Sequence, residues 1–293
     1  MKSLPMDTIL APPLRIVVDE AGNPDCGVEK NAGKRGGFLV AAVAIPEEIA
    51  PDLLQILPRS EDGRILKSSS RELSPDRLVE FLQRLPIDRI SVALVAISTK
   101  SDLNASISAQ AARVANAWRQ RGHRRHIAET SLVRILCDLE AINNVWAFHS
   151  TRQVIEAKRR RIAAQRIKTP GDDWVPRSGD RDSQVSFMSV TIDEGNHTAA
   201  TRREVPAMMR DVMRRHGVDV RPVKWTSERE EPLLAIPDLL AGMLLRHGER
   251  RDLSAAMQWV DEARKVGRIR LQDGKTIRIP EPPPSNAAAA SPA

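Results

Sequence analysis

The sequence predicts an α/β fold, a mixed sheet of five strands covered by helices. Two observations predict it. Short runs rich in Val, Ile and small apolar residues alternate along the chain with stretches of helical periodicity. The first two of those runs are joined by a Gly-rich connection with no helix in it, AGNPDCGVEKNAGKRGG at Ala21–Gly37, which makes them an antiparallel hairpin. A third feature bears on function: two strands, far apart in the chain, stop on the same acidic pair, RIVVDEAGN at Arg15–Asn23 and VSFMSVTIDEGN at Val185–Asn196.

The elements follow in order. Leu14–Val18 and Gly37–Ile45 read as the hairpin strands, and Pro46–Leu57 as a short helix opening at a proline. In SPDRLVEFLQRL, Ser74 suits the N-cap and Pro75 the first helical position, and Leu78, Phe81, Leu82 and Leu85 make one apolar stripe. Arg89–Ile97 is the third strand. From Ser101 to about Arg166 the pattern is helical and basic, followed by a loop at Thr169–Gln184. The fourth strand then runs to Asp193, a helix covers about Ala199–His216, and the fifth strand is Asp219–Trp225. Helices near Pro237–His247 and Ser254–Val266 close the pattern. The expected organisation is one domain over residues 1–279, with a helical basic insertion at about 99–185 and a disordered Pro/Ala-rich tail at 280–293.

Composition narrows the function classes. The 293-residue chain carries a formal net charge of +7, which points to polyanionic partners, nucleic acid first. Cys26 and Cys137 supply neither a disulfide framework nor a zinc set, and they fit a reducing compartment. The longest strongly apolar run, FLVAAVAI, falls far short of the roughly 18–20 residues that span a bilayer. A cytoplasmic protein with no membrane partner is expected.

Strand geometry sorts the acids. Side chains alternate between faces, so Ser189, Thr191 and Asp193 share one face while Val190, Ile192 and Glu194 share the other. Asp193 lies on the smaller, more polar side. Asp19 and Glu20 must diverge in the same way, and alternation alone does not choose between them. A third acid, Asp238 in PLLAIPDLLAGMLLRH, falls in line with Leu234, Ala241 and Leu245. A carboxylate on an apolar row needs compensation. Either the first turn of a helix opening at Pro237 supplies it, or a cation shared with the strand-end acids does. Carboxylates from two strand ends and a helix suit a hard cation such as Mg²⁺, and no His/Cys cluster with metal-ligand spacing competes.

At these residues the chain resembles the family catalogued as domain of unknown function 3800, a ribonuclease-H-like group. VVDEAGN matches its opening Asp-Glu-Ser-Gly strand, with Ala21 in place of Ser; Leu66-Lys67-Ser68 matches its following Lys segment. TIDEGN matches its central strand end, and KWTSEREEPLLAIPDLLAG its closing strand, Ser and helix, with Ser227 and Asp238 in register and Pro237 in place of Ala. The resemblance spans about Leu14–His247. It implies a ribonuclease-H-like mixed sheet and Mg²⁺ or Mn²⁺ held by Asp19, Asp193 and Asp238, with Glu20 and Glu194 as further acids. A fourth acid from a helix is common in such sites, and Glu140 is the candidate. Lys67 is placed to contact a phosphate or orient an acid.

The basic tracts RQRGHRRH and KRRRIAAQRIK nominate Arg124, Arg125, Lys158, Arg159, Arg160 and Arg161 for phosphate contact, against the plainer reading of a solvated helix face. His197 is either a proton relay or a turn residue, and Gly33–Gly37 lacks the following helix that a phosphate loop requires. The leading expectation is a metal-dependent nuclease acting on RNA or DNA. The rival is a non-catalytic nucleic-acid-binding or scaffold protein on the same fold, with a protein partner in a phage-defence or mobile-element setting.

Overall fold

Nine residues, Leu14–Gly22, with Ile16 to Asp19 all buried, form strand β1 at the centre of the sheet. The structure is a computed structural model that describes residues 13–22, 38–97, 112, 133–149, 188–195, 199, 202, 220–246, 254–265 and 269–272. β1 pairs antiparallel with β2 (Phe38–Pro46), which pairs antiparallel with β3 (Ser91–Ile97). On its other side β1 runs parallel to β4 (Met188–Asp193), and β4 parallel to β5 (Val220–Thr226). This is the ribonuclease-H-like layout expected, with one addition. A sixth strand, β6 (Ile269–Gln272), pairs parallel with β3, giving the order β5-β4-β1-β2-β3-β6. Its four residues, IRLQ, mix charge with apolar side chains and are too few to establish a period.

Alternation along β1 to β3 divides the core into two layers. Val17, Ala41, Val43 and Leu94 face α4 (Ala235–Arg246), with α1 (Ala50–Ile56), α2 (Pro75–Arg84) and α5 (Ser254–Lys265) completing that layer. Ile16, Val18, Val40 and Val95 face the opposite way, onto α3, the helix over residues 133–149. α3 lies in the region read as a basic insertion, yet Val133, Ile135, Leu139, Ile142 and Val145 make it a core helix that closes one face of the sheet. The expected helix Pro46–Leu57 is divided: a 3₁₀ turn at Glu47–Ile49 precedes α1, because β2 keeps its ladder through Pro46. No helix of the described residues is long and apolar enough to cross a membrane.

The cap of α2 forms as its sequence dictates. Ser74 is extended, its side chain accepts from the Arg77 N–H, and Leu78, Phe81 and Leu82 are buried beneath. Ser74→Ala removes that acceptor and is expected to cost about 1 kcal/mol. Chemical denaturation should register this as a lower midpoint at unchanged slope.

Candidate metal centre

β1, β4 and β5 are mutually parallel, so their carboxyl ends share one edge of the sheet. In open α/β sheets that edge is where ligands bind. β1 extends through Asp19 and Glu20, and the alternation that buries Val17 against α4 turns Asp19 to the same side. Asp19 is 7% exposed, and its Oδ1 accepts the Glu20 backbone N–H at 2.6 Å. Across the β1–β4 ladder the last registered pair is Val18 with Ile192, which sets Asp193 next in line beside Asp19. Asp193 Oδ2 accepts the Gly195 N–H at 3.1 Å. A Cβ on Gly195 would come within 2.6 Å of that oxygen, so a side chain there would push the carboxylate aside.

Two further carboxylates arrive from beyond β5. Asp238 stands in the first turn of α4, which packs across β1 and β2. Glu228 sits in the turn after β5, where the Glu230 and Glu231 N–H groups both donate to the Ser227 carbonyl at 3.0 Å. Asp19, Glu228 and Asp238 each offer an oxygen within 4.8 Å of the other two. Asp238 is held from outside the helix. Ser68 donates its backbone N–H to Oδ2 at 2.7 Å and its hydroxyl to Oδ1 at 2.8 Å. The neighbouring residue, Lys67, meets Glu228 Oε2 at 2.9 Å through Nζ.

The electrostatics of this edge are unfavourable as they stand. Burial raises the pKa of Asp19 well above the usual carboxylate range, and the charges of Asp193, Asp238 and Glu228 push it further against a smaller opposing effect of Lys67. Asp193 is also raised, by burial first, although the Gly195 N–H and Lys67 oppose the shift. Glu228 is raised by burial in spite of its hydrogen bond to Lys67. For Lys67, burial works against the charge, but Glu228 and the surrounding acids outweigh it and the pKa rises.

The residues present fit a hard divalent cation. The donors are all carboxylate oxygens, the set Mg²⁺ and Mn²⁺ prefer. Glu228 Oε1 is buried and has no hydrogen-bond partner among the described residues. A buried carboxylate oxygen left unsatisfied costs free energy that a cation at that position would return.

The other acids of the expected site take different places. Glu20 projects to the α3 face and forms an ion pair with Arg134, both side chains largely buried. Glu194 pairs with Arg202. Glu140 accepts from the Asn144 side chain on its own helix at 3.2 Å. Glu228, which sequence reasoning passed over, joins Asp19 and Asp238 in the group of oxygens within 4.8 Å of one another, a group that does not include Asp193. Arg124, Arg125, Lys158, Arg159, Arg160 and Arg161 lie outside the described residues, as do His197, Gly33–Gly37 and the tail.

No protein-family model matches the chain, and no curated protein matches it. Among solved structures it is similar to the ribonuclease HII of Archaeoglobus fulgidus, solved in complex with PCNA, at 13% identity and a TM-score of 0.37, over 87% of this chain and 91% of that one. It is also similar to the ribonuclease H2 of Pyrococcus horikoshii OT3, at 12% identity and a TM-score of 0.39, over 87% and 89%.

Proposed function

We propose that the protein is a metal-dependent nuclease that hydrolyses phosphodiester bonds of nucleic acid at the carboxyl edge of β1, β4 and β5. One observation carries the reading: Asp19, Glu228 and Asp238 each offer an oxygen within 4.8 Å of the other two. These three, with Asp193, would hold Mg²⁺ or Mn²⁺, which when bound supplies Lewis acidity and an activated water for attack on phosphorus. Membership of the domain of unknown function 3800 family is part of the same proposal, since the motifs of that family fall on Asp19, Lys67, Asp193 and Asp238.

The chain's own groups have separable tasks. Burial keeps Asp19 dry and fixed on β1, while Asp193 is braced by the Gly195 N–H. Lys67, 57% exposed at the rim, presents an ammonium where a phosphate would approach the acids. It neutralises part of the carboxylate charge that would otherwise repel a polyanion. The net charge of +7 favours the approach of nucleic acid at longer range.

The reading is tested by incubating the purified protein with Mn²⁺ and labelled RNA, DNA or RNA–DNA hybrid. Asp193→Asn is expected to lower cleavage about 100-fold or more. Equal cleavage by the variant would trace the activity to a contaminant and end the proposal. Salt-sensitive binding that ignores both metal and the substitution would identify a non-catalytic nucleic-acid binder instead.

A further inference from the structure

Asp238 and Gly242 are four residues apart on α4 and so occupy the same helix face, one turn from each other. The loop bearing Ser68 lies directly on that face. A Cβ at position 242 would fall 2.2 Å from the Ser68 Oγ and 2.3 Å from its Cβ, separations no folded protein sustains. The missing side chain of Gly242 is therefore what admits Ser68 to the helix surface. Once there, Ser68 grips both oxygens of Asp238, with its backbone N–H at 2.7 Å on Oδ2 and its hydroxyl at 2.8 Å on Oδ1.

The loop itself is braced on the other side. Leu66 is buried and donates its N–H to the Pro58 carbonyl at 2.8 Å. Lys67 N–H donates to Ser70 Oγ, and Ser70 N–H returns to the Lys67 carbonyl, each at 2.9 Å. A rigid turn thus meets a rigid helix at a point where a carboxylate with two free torsions would otherwise choose among several orientations.

We infer that Ser68, seated by Gly242, is a positioning residue that fixes the Asp238 carboxylate for metal binding. The inference rests on the proposed metal reading and adds a residue pair to it. A carboxylate with both oxygens hydrogen-bonded to one residue is held in one orientation. Here the held carboxylate keeps an oxygen within 4.8 Å of one from each of Asp19 and Glu228. Groups that orient a ligand in this way typically account for about 10–100-fold in metal affinity.

Calorimetric titration of Mn²⁺ into the full-length protein tests this without substrate. Ser68→Ala keeps the backbone donor and loses the hydroxyl, and is expected to weaken Mn²⁺ binding about tenfold. Gly242→Ala leaves Ser68 chemically intact and only pushes it off the helix; a loss at least as large is expected. A serine that served the fold alone would lower the metal-free unfolding midpoint and leave Mn²⁺ affinity at the wild-type value. That result in both variants, with wild type binding Mn²⁺ normally, overturns the positioning role and leaves the metal reading standing. Failure of the wild type to bind Mn²⁺ overturns both together.

Discussion

Asp19→Asn is expected to raise the metal-free unfolding midpoint by about 2–8 °C and to abolish the stabilisation that Mn²⁺ gives the wild type. The carboxylate is buried beside three others, and its folded-state pKa stands well above its ordinary value, from burial first and then from Asp193, Asp238 and Glu228. The folded state therefore holds a proton that the unfolded chain has already released. Stability conferred by this group is complete below the ordinary carboxylate pKa and is lost as pH rises through the folded value. Above that value the wild type carries a buried charge among like charges, whereas the amide carries none. The advantage of the variant should consequently be larger at pH 8 than at pH 4.

Metal reverses the order. A ligand that binds only the folded state at about 100 times its dissociation constant adds about 2.7 kcal/mol, or about 5–11 °C for a domain of this size. Scanning calorimetry of both proteins, with chelator and with excess Mn²⁺, reads all four midpoints. A variant less stable than wild type in chelator would mean that the Asp19 carboxylate supports the fold rather than straining it.

Much of this arrangement was legible in the sequence, for identifiable reasons. The period-two rule that puts Asp193 opposite Ile192 is a property of strands alone, and the structure has Asp193 beside Asp19 with Ile192 in the α3-side core. Ser74 and Pro75 mark the start of α2 because capping is local chemistry. Glu228 was not legible. It stands in SEREEP beside Glu230 and Glu231, three acids in four positions, a composition that reads as a solvated turn. The fold separates them: Glu230 accepts from the Thr226 hydroxyl, Glu231 is clamped by Arg15 at 2.8 Å, and Glu228 turns inward to Lys67 and Asp19. The partners that set Glu228 and Glu231 apart, Lys67 and Arg15, come from elements up to 216 positions away. β6 was hidden for a similar reason, because its partner β3 lies far away in the chain.

Arg134→Ala is expected to destabilise the protein by about 3–5 kcal/mol, a midpoint loss of about 10 °C or more, while Mn²⁺ affinity of the folded protein stays within about twofold of wild type. The ion pair it breaks joins Glu20 at the end of β1 to α3, with the side chains only 8% and 13% exposed. The guanidinium also lies over the Phe38 ring, 5.3 Å from its centroid, at the start of β2. Removing it strips a buried carboxylate of that counter-ion and loosens α3 from the sheet at one point. Replacing both partners by apolar residues, Glu20→Leu with Arg134→Met, is expected to recover most of the loss, because neither charge then has to be kept from water. The same measurement decides the role of Glu20. A metal ligand at that position would make Mn²⁺ binding collapse in Glu20→Leu, whereas an acid facing α3 leaves the titration unchanged and moves only the unfolding midpoint. Adjacent residues on a strand cannot serve one point in space. The dipeptide Asp19–Glu20 therefore divides its labour across the sheet, one carboxylate committed to the open edge and the other to the helix behind it.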